Sequence, residues 1–232
     1  MRPLDRGHWP CREDLLPMSF AQYQEAQPHL LDRLGWYCSY CERPIENGPS
    51  VDHIRPKVHH PALERTWCNL LLACCNCNPT KGAKDVRLDE HFWPDADNTA
   101  RAFDYSALGP SPREDLPADQ RDRARRTLEL TGLDRRPGRA REPSDADHRW
   151  RKREEAWKKA QMARDVLRCA RSEGVLSITV ELAVATGFWS IWMTVFEDDP
   201  EVRARLIRAF PGTAADCFDA ATRPTRRPGG AV

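Results

Sequence analysis

Two Cys-x-x-Cys pairs, Cys38/Cys41 and Cys74/Cys77, are the most concentrated chemistry in this sequence. Four thiolates so spaced form the closed tetrahedral shell of structural zinc: each pair offers two sulfurs from one tight turn, and the pairs meet the ion from opposite sides. Of the 9 cysteines, Cys38, Cys41, Cys68, Cys74, Cys75 and Cys77 fall in this single stretch. An odd total so crowded argues against a disulfide scaffold and for Zn²⁺ in a reducing compartment. Cys68 and Cys75 are expected as small buried side chains. A module this small buries little core, so the metal supplies much of its folding energy.

Between the pairs run VDHIRPK (Val51–Lys57) and the segment Thr66–Lys84. On a strand, adjacent Asp52 and His53 point to opposite faces, so one can bind a metal while the other faces a water beside it. Phosphodiester hydrolysis asks for these residue types. A hard divalent cation takes oxygen ligands, here Asp52 and Asn78. The attacking water needs a base that titrates near neutrality, here His53. Lysines near the phosphate add electrostatic hold. Arg55, Lys57, Lys81 and Lys84 are the expected contacts to a nucleic-acid backbone, the last two on one helix face. An isolated Asp-His pair more often makes a turn bond and a strand cap; flanked by two CxxC pairs it reads as a site. His59 and His60 read as solvated loop, and the carboxylates Asp95 and Asp97 as turn formers.

Cys38-x2-Cys41, Asp52-His53, Asn69-Leu70 and Cys74-x2-Cys77-Asn78-x2-Lys81 together resemble the HNH (ββα-metal) endonucleases. More narrowly, YCSYCERPI, VDHIRPK, the Asn-Leu-Leu run and CNCNPTKG are similar to the HNH nuclease subunits of bacterial Septu-type and retron-associated anti-phage systems. HFWPDADNT (His91–Thr99) and FWSIWMTVFEDDPEVR (Phe188–Arg203) extend that resemblance. It implies His53 as general base and Asp52 as first ligand of a catalytic Mg²⁺ or Mn²⁺. It implies that Asn69 tethers the loop and orients the histidine through backbone hydrogen bonds, and that Asn78 stands where the last His or Asn of the motif ligates the metal. It further implies a DNA or RNA substrate and an ATPase-type protein partner in a defence complex. The chain has no Gly-x4-Gly-Lys-Ser/Thr loop, so ATP hydrolysis would belong to that partner. The alternative is a zinc-stabilised nucleic-acid- or protein-binding subunit with weak or no cleavage; the complete Asp52, His53, Asn78 set favours the enzyme.

The elements that must position these residues read as α+β: a small zinc-bound ββα-metal module embedded in a mostly helical chain. Residues 1–35 form a helical segment beside the module, with a helix capped by Ser19 and restarted at Pro28. Residues 36–84 are the nuclease core, a short hairpin, a long proline-containing loop and a helix. Residues 85–143 are a loop-rich extension with a short basic helix over Arg121–Leu130. Residues 144–222 are helical, opening on a Ser144/Asp147 capping box with Trp150, Trp157, Ala160, Leu167 and Ala170 on the buried side. Residues 223–232 are expected to be a disordered tail.

With 40% apolar and 31% charged residues the composition is that of a foldable soluble chain, and a net charge of +1 means any nucleic-acid surface is a local patch. The opening MRPLDRGHWP lacks a signal-peptide pattern, so a cytoplasmic location is expected. The apolar run Val175–Phe196 is broken by Glu181 and reads as core helices rather than a membrane span, with Trp189 and Trp192 as core packing.

Overall fold

The computed structural model describes residues 1–232. A 3₁₀ turn, Tyr23–Ala26, runs directly into helix α1 (Gln27–Leu34). Pro28 fixes φ in the first turn of α1, and Gly35, at φ 73°, ends it. The helix therefore begins later than Ser19, whose position lies before the 3₁₀ turn. Strand β1 (Ser50–His53) pairs antiparallel with β2 (Leu70–Ala73), His53 opposite Leu70 and Asp52 opposite Leu71. Every residue of β2 is buried. Helix α2 (Cys77–Lys81) follows and stops at Gly82, whose φ of 58° is open to glycine at little cost. The result is a ββα unit with the cysteine pairs at one end and the Asp52-His53 pair at the other.

Beyond the module, strands β3 (Phe103–Ser106) and β4 (Gly109–Pro112) form a hairpin. The sequence predicts little regular structure there; the hairpin's proline-rich second strand hides the alternation that would mark it. Helix α3 (Ala118–Thr131) contains the basic stretch. Helix α4 (Arg149–Cys169) starts five positions after Ser144, because Asp147 turns to bind the Arg149 backbone N–H and guanidinium instead of closing a capping box. Its buried face is Arg149, Arg153, Ala156, Ala160, Ala163 and Leu167. Trp150 and Trp157 are only half-buried and Ala170 is exposed. Small side chains let α4 approach its neighbours closely, which bulky tryptophans would prevent.

Helices α5 (Glu173–Thr186), α6 (Trp189–Val195) and α7 (Pro200–Ala209) complete the chain's helical part. Trp189 and Trp192 are fully buried among them. No helix is long and apolar enough to cross a membrane.

The apolar core has two parts. One surrounds the module and draws on Leu30, Leu34, Leu70, Leu72, Phe92 and Leu128; the other lies among α4 to α7 around Ala160, Trp189, Trp192 and Leu206. Glu42, directly after the first cysteine pair, joins them: its carboxylate accepts from Ser190 N (2.9 Å) and Ser190 Oγ (2.5 Å). At the same place Gly187, at φ 70°, passes so close that a Cβ would stand 2.7 Å from the Glu42 carbonyl oxygen. The first residues thread between the two parts, with Leu4 N donating to Pro94 O and Asp5 N to Gly212 O.

The tail is not loose as the composition predicts. Thr225 N donates to Cys217 O, Ala231 N to Asp97 Oδ1 (2.8 Å), and Val232 is buried in the module-side core. Backbone groups held by buried acceptors give the segment partners that its own composition does not supply.

Candidate active site and metal centre

The first cysteine pair sits on a short hairpin, with Cys38 N donating to Arg43 O and Ile45 N to Trp36 O. The second lies at the start of α2. Together they bring Cys38, Cys41, Cys74 and Cys77 into one buried cluster whose sulfurs all lie within 4.8 Å of one another. Cys41 Sγ and Cys74 Sγ are 3.6 Å apart, close to the edge of about 3.8 Å expected for a tetrahedron with Zn–S near 2.3 Å. Backbone donors also aim at the sulfurs: Cys74 N at Cys38 Sγ and Cys77 N at Cys74 Sγ, each at 3.4 Å. Burial pushes the thiols of Cys38, Cys41 and Cys77 well above their usual range, while hydrogen bonds from those three hold Cys74 far below it; four thiolates buried together would need a cation. The four-cysteine cluster fits zinc in donor type, number and spacing. Cys68 and Cys75 are exposed, not buried. Cys75 occupies the turn between two inward-facing cysteines and points away from the cluster.

At the far end of the module, Asp52 and His53 occupy the last two positions of β1, both largely buried. Tyr40, from within the first CxxC, donates its hydroxyl to Asp52 Oδ2 at 2.5 Å. Lys81 Nζ donates to Asp52 Oδ1 (3.2 Å) and to the His53 carbonyl (2.5 Å). Burial raises the Asp52 carboxyl above its ordinary value, opposed by the Lys81 charge and by the Tyr40 and Lys81 hydrogen bonds. Burial and the neighbouring carboxylate raise the Tyr40 phenol well above its range, which keeps it a donor.

His53 Nε2 is 2.9 Å from the Glu64 carbonyl oxygen. A carbonyl only accepts, so the neutral ring carries its proton on Nε2 and leaves the Nδ1 lone pair free. The edge of the ring meets Tyr23, with centroids 4.7 Å apart. Burial lowers the imidazole below its ordinary value, with the Glu64 carbonyl and Asp52 pulling the other way. Asn69 closes the loop between the strands. Its Oδ1 accepts from Arg55 N (2.8 Å), and its Nδ2 donates to Arg55 O (3.0 Å) and Leu63 O (3.1 Å). One amide thus holds both ends of the segment that presents Glu64 to His53.

Asn78 is half-exposed on α2, its backbone engaged at both ends (Asn78 N to Cys74 O, Gly82 N to Asn78 O), with no hydrogen bond from its side chain. Among the basic residues, Arg55, Lys57 and Lys84 are exposed. Lys57 is tied to Glu64 at 3.0 Å and stands 4.5 Å from the Tyr23 ring centroid. Lys81 departs from the expected surface contact. It is 1% exposed, committed to Asp52, and does not share an open face with Lys84, because the helix ends at Lys81 and its last turn faces inward.

Two roles escaped the sequence. Tyr40 carried one faint signal, a phenol inside a turn whose neighbours must be buried. Arg149 carried none: its guanidinium reaches Cys77 Sγ at 3.0 Å across 72 positions of chain.

Residues 38–84 match the family model described as HNH endonuclease. Residues 38–84 thus resemble an HNH domain. The match spans both cysteine pairs and everything between them. Septu protein PtuB of Bacillus thuringiensis is 33% identical over 86 residues, which cover 34% of this chain and 34% of that protein. The similarity to that relative thus extends over about a third of its length.

Proposed function

We propose that the protein is a metal-dependent endonuclease that hydrolyses phosphodiester bonds of DNA or RNA. What supports this most is the setting of His53: inside an HNH domain, at the end of β1, with Nε2 tied to the Glu64 carbonyl and Nδ1 free to take a proton from water. Asp52 and Asn78 supply the oxygens for a divalent ion, Mg²⁺ or Mn²⁺, which when bound polarises the phosphate and offsets developing charge. The Asp52 carboxylate has lone pairs to spare after accepting from Tyr40 and Lys81. Asn69 keeps the loop, and through it the imidazole, in position. Arg55, Lys57 and Lys84 hold the nucleic-acid backbone. Lys81 has a different task, holding Asp52 and the end of β1.

Similarity to Septu protein PtuB supports a place in a bacterial anti-phage complex, acting in the cytoplasm with an ATPase-type partner. The residues outside 38–84 are then the surface available to that partner. The test is cleavage of plasmid, single-stranded DNA and tRNA with Mg²⁺ or Mn²⁺, wild type against His53→Ala. Metal-dependent products from wild type alone are expected. Equal products from both proteins, or none from wild type with or without partner, would favour a zinc-stabilised binding subunit instead.

A further inference from the structure

Two guanidinium groups lie buried where α4 meets the cysteine cluster. Arg149, 1% exposed, holds Asp147 with both of its faces (Nε–Oδ1 2.8 Å, Nη2–Oδ2 2.6 Å). It also donates to the Thr131 and Gly132 carbonyls, at 2.9 and 3.2 Å, where α3 ends. Its remaining contact is Cys77 Sγ at 3.0 Å. Arg153 lies one turn further on and is 3% exposed. It donates to the Leu133 carbonyl at 3.0 Å, has no carboxylate within ion-pair distance, and leaves Nε without a partner.

An unmatched buried cation is costly, and Asp147 is the only carboxylate paired with either arginine. The other ionisable groups near them are Cys41 and Cys77, with the Met1 ammonium near Arg153 itself paired with Glu42. Four thiolates around one divalent cation carry two net negative charges; Asp147 offsets only one of the two arginine charges, and this is the anion that the pair still lacks.

We propose that Arg149 and Arg153 are the counter-ions of a dianionic zinc–tetrathiolate centre, and that the N-terminal half of α4 docks on the module only while the metal is held. Arg149 acts directly, as a charged donor to the Cys77 sulfur. This withdraws charge from the thiolate and orients it. Arg153 acts at longer range. Because Arg149 also satisfies the last carbonyls of α3, one guanidinium ties the metal knot, the end of α3 and the start of α4 together. The proposal rests on the cysteines holding zinc and is independent of nuclease activity.

The experiment uses the full chain, zinc-loaded and cobalt-substituted, as wild type and as Arg149→Gln, Arg149→Lys, Arg153→Met and Asp147→Asn. Zinc affinity is read by chelator competition, the Cys77 contact by the thiolate-to-cobalt charge-transfer band, and docking by hydrogen exchange. Arg149→Gln is expected to weaken zinc by about 10–100-fold and to move the charge-transfer band. Arg149→Lys, which keeps the charge, is expected to recover most of the affinity. Asp147→Asn, which loosens the same packing without removing the donor, is expected to leave the band in place. Arg153→Met is expected to weaken zinc by less than Arg149→Gln. Stripping zinc from wild type, which needs no variant, is expected to speed exchange over residues 149–160 while 200–209 stays protected. Equal losses in Arg149→Gln, Arg149→Lys and Asp147→Asn would reduce Arg149 to a packing role and overturn the proposal. So would zinc affinity unchanged in every variant, or exchange in α4 indifferent to zinc. A wild-type protein without zinc would overturn it by removing its premise, whatever the nuclease assay shows.

Discussion

The two ends of α2 solve the same electrostatic problem differently. At the N-terminal end Cys77 belongs to a closed shell of four sulfurs, with the Arg149 guanidinium against its back. At the C-terminal end Lys81 faces Asp52, whose other oxygen accepts from Tyr40. Each end buries charge, and each matches it. In the knot the four cysteines would fill every ligand position of a zinc ion, so that centre would serve to hold the fold together. Around Asp52 the matched carboxylate retains unused lone pairs, and the imidazole beside it has one free nitrogen. A structural centre is complete without a substrate, whereas a catalytic one is stable yet unfinished.

Breaking the knot has the largest expected effect. Cys74→Ser is expected to lose zinc and with it the ordered module, since structural zinc in small domains contributes on the order of 10 kcal/mol. Metal analysis and a thermal melt check this, and a zinc-free protein with wild-type stability would erase the contrast between the two ends. His53→Ala is next and acts on rate alone. Cleavage is expected to fall by about 10²–10⁴-fold, with zinc content and melting temperature unchanged. Asp52→Ala and Asn78→Ala are expected to regain part of their activity at high Mn²⁺, and His53→Ala none; recovery of all three alike would remove His53 from the role of base.

Lys81→Met tests the matched pair at the other end. Leaving Asp52 buried and unpaired is expected to cost about 3–5 kcal/mol, measured by denaturant unfolding. The double variant Lys81→Met/Asp52→Asn is expected to cost less than the sum of the single changes, and strict additivity would mean that the two groups do not interact. Tyr40→Phe, which removes one donor to the same carboxylate, is expected to cost about 1–3 kcal/mol. The smallest effect sits on the surface. Arg55→Ala and Lys57→Ala are each expected to weaken nucleic-acid binding evenly across sequences and to flatten its salt dependence by about 0.7–0.9 in log–log slope. A sequence-selective loss would make them base readers instead.

The module was legible in the sequence because its constraints are local. CxxC spacing fixes two sulfurs on one turn, and the adjacency of Asp52 and His53 fixes their relation on a strand. Lys81 shows where such reasoning stops. Its type and its place on a short helix suggested solvent, and only the fold reveals a buried carboxylate 3.2 Å away. Helix α4 makes the same point for packing: tryptophans at helical spacing suggested its buried face, whereas alanines and two arginines form it. Arginine is read as surface in any pattern scheme, so a buried one is invisible until its partners are placed. The tail failed for the related reason that its partners, Asp97 and Cys217, lie outside it.

The threading of the first residues between the two halves sets an order of events during synthesis. Arg2 donates to the Leu34 carbonyl at 2.9 Å and to the Phe210 carbonyl at 3.1 Å, and Leu4 bridges Thr213. Leu34 follows Arg2 by 32 positions, whereas Phe210 follows it by 208 and Thr213 by 211. The segment around Arg2 is thus secured only after Phe210 has been made, long after Leu34. Until then the cysteine knot and its strands must hold together without it. A four-cysteine cluster that can close on a metal within residues 38–77 would give the growing chain a stable body against which these later, long-range contacts assemble.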